Sequence, residues 1–416
     1  MNTVRKTHKL RQKGSAFVVT LAVLAGLVAL IAGIAASRAS TNRGLWNRMQ
    51  EQRARLMVTA GIQRAVAELE SQDGNRATLA DNWSTLGHSG AQMILVGTDG
   101  FRLQILDNCS RVNINIADQN QLKTLPFTSS QIDSLMDWRE KGSAPRATGA
   151  KDEFYTALSH PYYTKQKPFD SVEELLLVKG FAPTVLYAPG GQASAEPTGS
   201  ATGTILDDIL TVDSVCADHD LNDQPKTDIR SATQVQMANL GVTNDIFSAI
   251  QSAQGSFRTI GDALLVQGMT KLAAHIILDN FTLGNGAART GTINVNMAPL
   301  AVLETVPNLS PDQAQAIFQG QAHGYRSMGD LVDVTGMDFN SLSKTISHFS
   351  VGSRSFEVRV MGMAGATTDA MEAELILNDD GSVSVTRCVP QSYWDVRDRW
   401  GWDRSATEQV QIGVTS

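Results

Sequence analysis

Residues 15–37 read SAFVVTLAVLAGLVALIAGIAAS, and no charged residue follows until Arg38. A helix needs about 20 consecutive apolar residues to cross the hydrocarbon core of a bilayer, so this run is long enough. Before it, Arg5, Lys6, Lys9, Arg11 and Lys13 lie in a basic segment that ends at Gly14. A basic flank ahead of an apolar span predicts a cytoplasmic N-terminus, with everything after Arg38 on the far side. A cleaved secretory signal has a shorter apolar core and an A-x-A-like site after it. Ala32, Ile34 and Ala36 imitate that site poorly. An ordinary uncleaved anchor satisfies the same pattern.

The helix is predicted to continue past the membrane. Residues 45–70 hold no proline and one glycine, Gly61. Val58, Ile62, Val66 and Leu69 recur at helical spacing, while Glu51, Arg53, Arg55, Arg64 and Glu68 take the other faces. One helix over about 16–70 follows from this, half in lipid and half on a sheet, closed by Asp73-Gly74. Strand-like runs occupy 92–96 and 101–106, joined at Thr98-Asp99-Gly100. The texture returns at 356–361, 372–377 and 383–388. These elements predict an α+β fold in which one domain is inserted into another.

The insert is a threefold repeat. Its copies open on Asn113-Ile114-Asn115-Ile116-Ala117, Asp228-Ile229-Arg230-Ser231-Ala232 and Asn294-Val295-Asn296-Met297-Ala298. Five and eight residues after each alanine stand Leu122 and Leu125, Met237 and Leu240, Leu303 and Val306. A turn, a second helix and a third segment follow. The third segments begin at Phe169, Phe257 and Tyr325 and end at Gly180, Gly268 and Gly336. Asp170, Ser171, Thr259 and Ser327 are natural helix N-caps, and the terminal glycines suit a left-handed C-cap. The expected units are 1–14, a span at 15–37, helix and first strands at 38–110, and repeats at 111–186, 205–285 and 286–352. A flexible linker at 187–204 separates the first two repeats, and 353–416 returns to the sheet and ends in a tail.

The 416 residues carry a net charge of −7; the first fourteen contribute +5 of that, leaving −12 for the rest. So acidic a body argues against general binding to a phosphate backbone. Of the three cysteines, Cys109 and Cys388 end strands of one domain and are the expected disulfide, with three free thiols as the alternative. His160, His219, His275, His323 and His348 show neither zinc nor triad spacing.

Three resemblances add to this reading. The N-terminus resembles a type IV prepilin leader, which implies cleavage between Gly14 and Ser15 by a prepilin peptidase and methylation of the new N-terminus. The repeat resembles the helix-hairpin-helix motif, whose hairpins aim backbone N–H groups at phosphates. Here they read Leu125-Pro-Phe-Thr-Ser, Leu240-Gly-Val-Thr-Asn and Val306-Pro-Asn-Leu-Ser, with one glycine among them. A packing role is therefore favoured over DNA binding. The combination is similar to the minor pseudopilin K family of type II secretion systems. Asp137-Trp138-Arg139, residues 149–155 (GAKDEFY), residues 168–175 (PFDSVEEL) and Ile293-Asn294-Val295-Asn296 carry that likeness. The second repeat stands out as an extension.

The family resemblance implies a non-enzymatic subunit of the bacterial inner membrane, with a periplasmic bulk at the tip of a short filament. It implies other minor pseudopilins and the inner-membrane assembly platform as partners, with exported substrates or the outer-membrane secretin as further contacts. Pilin-like subunits resemble one another in a glutamate fifth from the mature N-terminus; Val19 stands there, an absence shared by K-type members. No cofactor is required by this reading, but K-type pseudopilins are similar in binding calcium, which wants six to eight oxygens. Asp137, Glu140, Asp152 and Glu153 are one candidate set, and Asp218, Asp220 and Asn222 another. The rival readings are a membrane-anchored DNA-uptake protein and a minor pilin of a surface type IV pilus.

Overall fold

A single helix, α1 (Ser15–Glu70), runs for 56 residues. The structure, a computed structural model, describes residues 15–72, 76–188, 204–284, 288–392, 396–397, 399–402 and 408–411. The leader with Gly14, the side chain of Ser15, Asp73-Gly74 and most of the 187–204 linker lie outside the described residues. Residues 16–49 of α1 are exposed on every side. Among the described residues this is the one helix long and apolar enough to cross a membrane. Its second half buries Ala54, Val58, Ile62, Ala65 and Leu69, the stripe a helix needs to lie on a sheet. Val66 packs half-buried against the same core, beside the fully buried Ala65.

The sheet comprises β1 (Gln92–Val96), β2 (Asp99–Asp107), β3 (Ser355–Ala364), β4 (Thr367–Leu377), β5 (Val383–Gln391) and β6 (Glu408–Gln411). Their order is β5-β4-β3-β2-β1-β6, antiparallel except for β6, which runs parallel to β1. Phe101, Leu103, Ile105, Phe356, Val358 and Val360 form the core beneath α1. A Cβ on Gly362 would stand 2.2 Å from the Ala54 carbonyl oxygen, so the approach of α1 to β3 requires glycine there. Val396, Trp400 and Trp402 from the tail pack with Met361 and Ala370 of the sheet.

Asp107, the last residue of β2, is the register partner of Phe356 on β3. Everything between them is thus an insertion in the connection of two paired strands. The insert's apolar residues form one continuous core drawn from all three repeats. Each repeat also closes on itself. Val112–Asn113 pairs parallel with Leu210–Thr211, Thr227–Asp228 with Phe281–Thr282, and Ile293–Asn294 with Phe349–Ser350. Residues 205–211, assigned by the sequence to the second repeat, therefore close the first. Two-residue strands carry no periodicity, so only the fold reveals them.

A second device repeats with the motif. Asn296 Nδ2 donates to the carbonyls of Tyr325 (3.0 Å) and Val351 (3.3 Å), and its Oδ1 accepts from Tyr325 N. Asn115 does the same with Phe169 and Val212. Each carboxamide ties the opening strand to the third segment and to the closing strand. The second repeat has Arg230 there instead, turned outward onto Asp228. The third segments fold as 3-10 turns behind Ser171, Thr259 and Ser327, and Gly180, Gly268 and Gly336 take φ of +88°, +82° and +81°.

Asn296→Ala leaves the buried N–H and carbonyl of Tyr325 without partners, while the Val351 carbonyl keeps the Ala77 N–H, so it should destabilise the chain by about 2 kcal/mol or more. Arg230→Ala should leave the urea midpoint where it is. Equal effects of the two variants in urea unfolding would contradict the assignment of the latch.

Candidate functional site

The alternation of a strand sends successive side chains to opposite faces. Phe356, Val358 and Val360 point to α1; Glu357, Arg359 and Met361 therefore face the other way, as do Glu372 and Glu374 on β4. Register places Glu357 opposite Glu374 and Arg359 opposite Glu372. Like charges directly opposite repel, and an isolated buried carboxylate is costly. Both problems are met by arginines, two from the sheet itself and two from elsewhere in the chain. Arg111, at the start of the insert, pairs with Glu357. Arg359 Nε lies 2.6 Å from the other oxygen of Glu357. From β5, Arg387 reaches Glu374 at 3.1 Å. Arg399 of the tail reaches Glu173 of the first repeat at 2.7 Å and Asp207 of its closing helix at 3.2 Å.

Sheet, first repeat and tail thus meet in one charged seam. Burial pushes Glu357 up, but Arg111 and Arg359 outweigh it and hold it at about 2. Glu372 is pushed up to about 8 and Glu374 to about 7, by burial first and by the charge of Glu357 second. Arg387 lowers Glu374 and is itself held protonated more firmly; burial still wins at the carboxylate. Glu372 Oε2 makes no hydrogen bond among the described residues, with Arg399 3.8 Å away. A neutral Glu372 suits that position. The cavity here is about 20 Å³, the room of one water molecule. Glu357, Glu372 and Glu374 are the only cluster of at least three such ligands among the described residues, and the cations beside them are guanidinium groups. The arrangement is a mechanical joint: it has no open cleft and no nucleophile paired with a base.

A second joint sits where the chain leaves the sheet. Asp107 is buried, and its Oδ2 accepts from Asn294 Nδ2 (3.0 Å) and Ser353 Oγ (2.6 Å). Burial lifts its carboxyl to about 6, against those hydrogen bonds. Asn294 also donates to the Ala77 carbonyl. Beside it lies the disulfide, which is Cys109–Cys216 with Cα atoms 6.4 Å apart. The expected Cys109–Cys388 pair is corrected: Cys388 is a free, exposed residue on β5. Strands β5 and β2 stand three spacings apart, about 14 Å, whereas a disulfide needs Cα atoms within about 7 Å.

The calcium candidates do not assemble. Arg146 takes Asp137 at 2.8 Å and Glu140 at 2.5 Å. Lys151 Nζ donates to the backbone carbonyls of both residues. Asp152 accepts from Thr164 N at 2.8 Å, and Glu153 is exposed. Asp218 turns inward to Lys226 (3.1 Å) and Thr282 (3.0 Å), while Asp220 caps its own loop through Asn222 N and Gln224 N. Their lysine and arginine partners lie nearby in sequence, but only the fold of each loop turns Arg146 and Lys226 back onto the carboxylates. Leu125, Pro126 and Phe127 of the first hairpin are buried, and Thr124 Oγ1 donates to the Thr305 carbonyl of the third. Val19 stands on the exposed apolar half of α1. The seam was the feature missed; the alternations in 356–361 (FEVRVM) and 371–375 (MEAEL) are its sequence signal.

Residues 120–188 match the family model described as type II secretion system (T2SS), protein K. Among solved structures, the chain is similar to one in the crystal structure of the GspK-GspI-GspJ complex from the type 2 secretion system of enterotoxigenic Escherichia coli. The identity is 13%, over 86% of this chain and 98% of that one, with a TM-score of 0.38. No curated protein matches the chain.

Raised carboxyl pKa values mean that the folded state holds protons the unfolded state has lost. Stability should therefore fall as pH rises from the unfolded carboxyl range near 4.5 through about 8. Between pH 5.5 and 8.5 the loss from Glu372 is on the order of 3 kcal/mol. Glu372→Gln should flatten that slope in thermal melts; an unchanged slope would contradict the seam's protonation.

Proposed function

We propose that this chain is a member of the type II secretion system protein K family, supported by the match over residues 120–188, and that it serves as a non-enzymatic minor pseudopilin at the tip of the secretion filament. The observation that carries this reading is α1, whose exposed apolar half continues without a break into a half packed on the sheet. A single-pass inner-membrane anchor with a cytoplasmic N-terminus and a periplasmic body accounts for that division. Prepilin peptidase removes residues 1–14 and leaves Ser15 first. Val19 then lies fifth, where no carboxylate needs a neighbour to neutralise it in lipid. A subunit so built lacks the group that docks an N-terminus against the subunit ahead, which suits the first position in a filament.

The insert makes that tip bulky. Its partners are other minor pseudopilins and the inner-membrane assembly platform, with exported proteins or the outer-membrane secretin above. The role requires no cofactor. DNA is disfavoured by the acidic body and by the first hairpin, which is spent on packing.

Mass spectrometry of the membrane-extracted protein should give a chain that begins at Ser15 and carries an N-methyl group. Deletion of the gene should leave exported proteins in the periplasm. A chain that begins at Met1 would overturn the pseudopilin reading.

A further inference from the structure

The second helices of the first and third repeats, α2 (Ser129–Arg139) and α3 (Pro311–Gly320), start from matching capping boxes at Thr128 and Ser310. Their ends match too: Arg139 donates to the carbonyls of Ile114 and Ala117, and Gln321 to those of Val295 and Ala298. Position by position, Ser130, Asp133, Asp137 and Trp138 correspond to Asp312, Gln315, Gln319 and Gly320. In the third segments Glu174 corresponds to Asp330, and each accepts a backbone N–H from the residue four before it, Asp170 or Arg326.

The first repeat has a long connection between these two walls, and the chain itself fills the space. The Thr148 carbonyl accepts from Ser130 Oγ, and Thr148 Oγ1 donates to Asp133 at 2.6 Å. Arg146 sits on Asp137. Tyr155 and Tyr162 pack their ring edges on Trp138. Lys165 reaches Glu174 at 2.7 Å. The third repeat passes from Gly320 to Tyr325 by a short turn, so the equivalent groove stays open, with a volume of about 720 Å³. Asp312, Gln315, Ala316, Gln319 and Asp330 line it, with His323 at one side. Asp333 at its edge is already held by Lys271 (3.3 Å) and His275 (2.9 Å) of the second repeat. The second repeat keeps a smaller groove of about 420 Å³, where Arg258 stands beside the equivalent acid, Asp262.

We infer that the groove of the third repeat docks a loop segment of a partner protein, a lysine of which reaches Asp330 as Lys165 reaches Glu174. The first repeat carries its own occupant and shows the geometry; the third supplies the equivalent helix and third segment with different side chains on the helix, and keeps the acid that Lys165 uses, as Asp330. The inference stands on the internal comparison and does not depend on the filament-tip reading.

The test places the photo-crosslinker p-benzoylphenylalanine at Gln315 in the full chain in its native membrane, with an exposed control site at Val235. Irradiation should join Gln315 to a partner peptide that contains a lysine, as mapped by tandem mass spectrometry. Ala316→Trp, which fills the groove, and Asp312→Lys should each lower that adduct about tenfold. The Ala316→Trp chain should keep its melting temperature and its Cys109–Cys216 disulfide, which separates a filled groove from a lost fold. Adduct no stronger at Gln315 than at Val235, adduct on a segment without lysine, or adduct indifferent to Ala316→Trp would each overturn the inference.

Discussion

Asp107 and Phe356 are partners in one strand ladder, although the entire repeat domain lies between them in sequence. That pairing is the constraint on which the rest depends. The insert must leave and re-enter the sheet at a single point, so its own elements have to close locally. Each repeat does so with a two-residue parallel pair, and two of the three add an asparagine latch. At the gateway, Asp107 holds Asn294 of the third repeat and Ser353 of the returning chain together. The Cys109–Cys216 disulfide fastens the first turn of the insert to the passage between the first and second repeats.

The charged face of the sheet is the second half of the same joint. Removing charges from water is costly, and a buried ion pair is weak evidence for net stability. What such a seam confers is orientation. Four arginines from three regions, Arg111, Arg359 and Arg387, and Arg399, satisfy acids on the sheet and on the first repeat. Guanidinium suits this role because it is always charged and offers a fixed fork of donors. One docking of the insert on the sheet satisfies the set; a shifted docking would strand buried charges. A body that must project rigidly from a membrane helix gains from such a joint.

Much of this was legible beforehand. Helical spacing gave the extent of α1, and apolar alternation with turn residues located five of the six sheet strands. The threefold motif was visible because identical offsets recur at Ala117, Ala232 and Ala298. The short closing strands were not, since two residues have no period and the first lies beyond a linker. Nor was the edge strand β6, whose Glu408–Gln411 reads as polar tail. Cys216 was overlooked as the partner of Cys109 because the insert's path decides which cysteine arrives at the gateway. The charged seam was hidden for a related reason: Glu357, Arg359, Glu372 and Glu374 alternate as a solvated face would, and only the fold places a repeat and the tail over them.

The central claim is that sheet and insert form one cooperative unit through this joint. Hydrogen-exchange mass spectrometry of the full chain in detergent tests it most directly. Peptides from β3 and from the third repeat should open at the same free energy, and Glu357→Gln should lower both together. Opening of the repeat at markedly lower free energy than the sheet, with Glu357→Gln felt on β3 alone, would contradict the account.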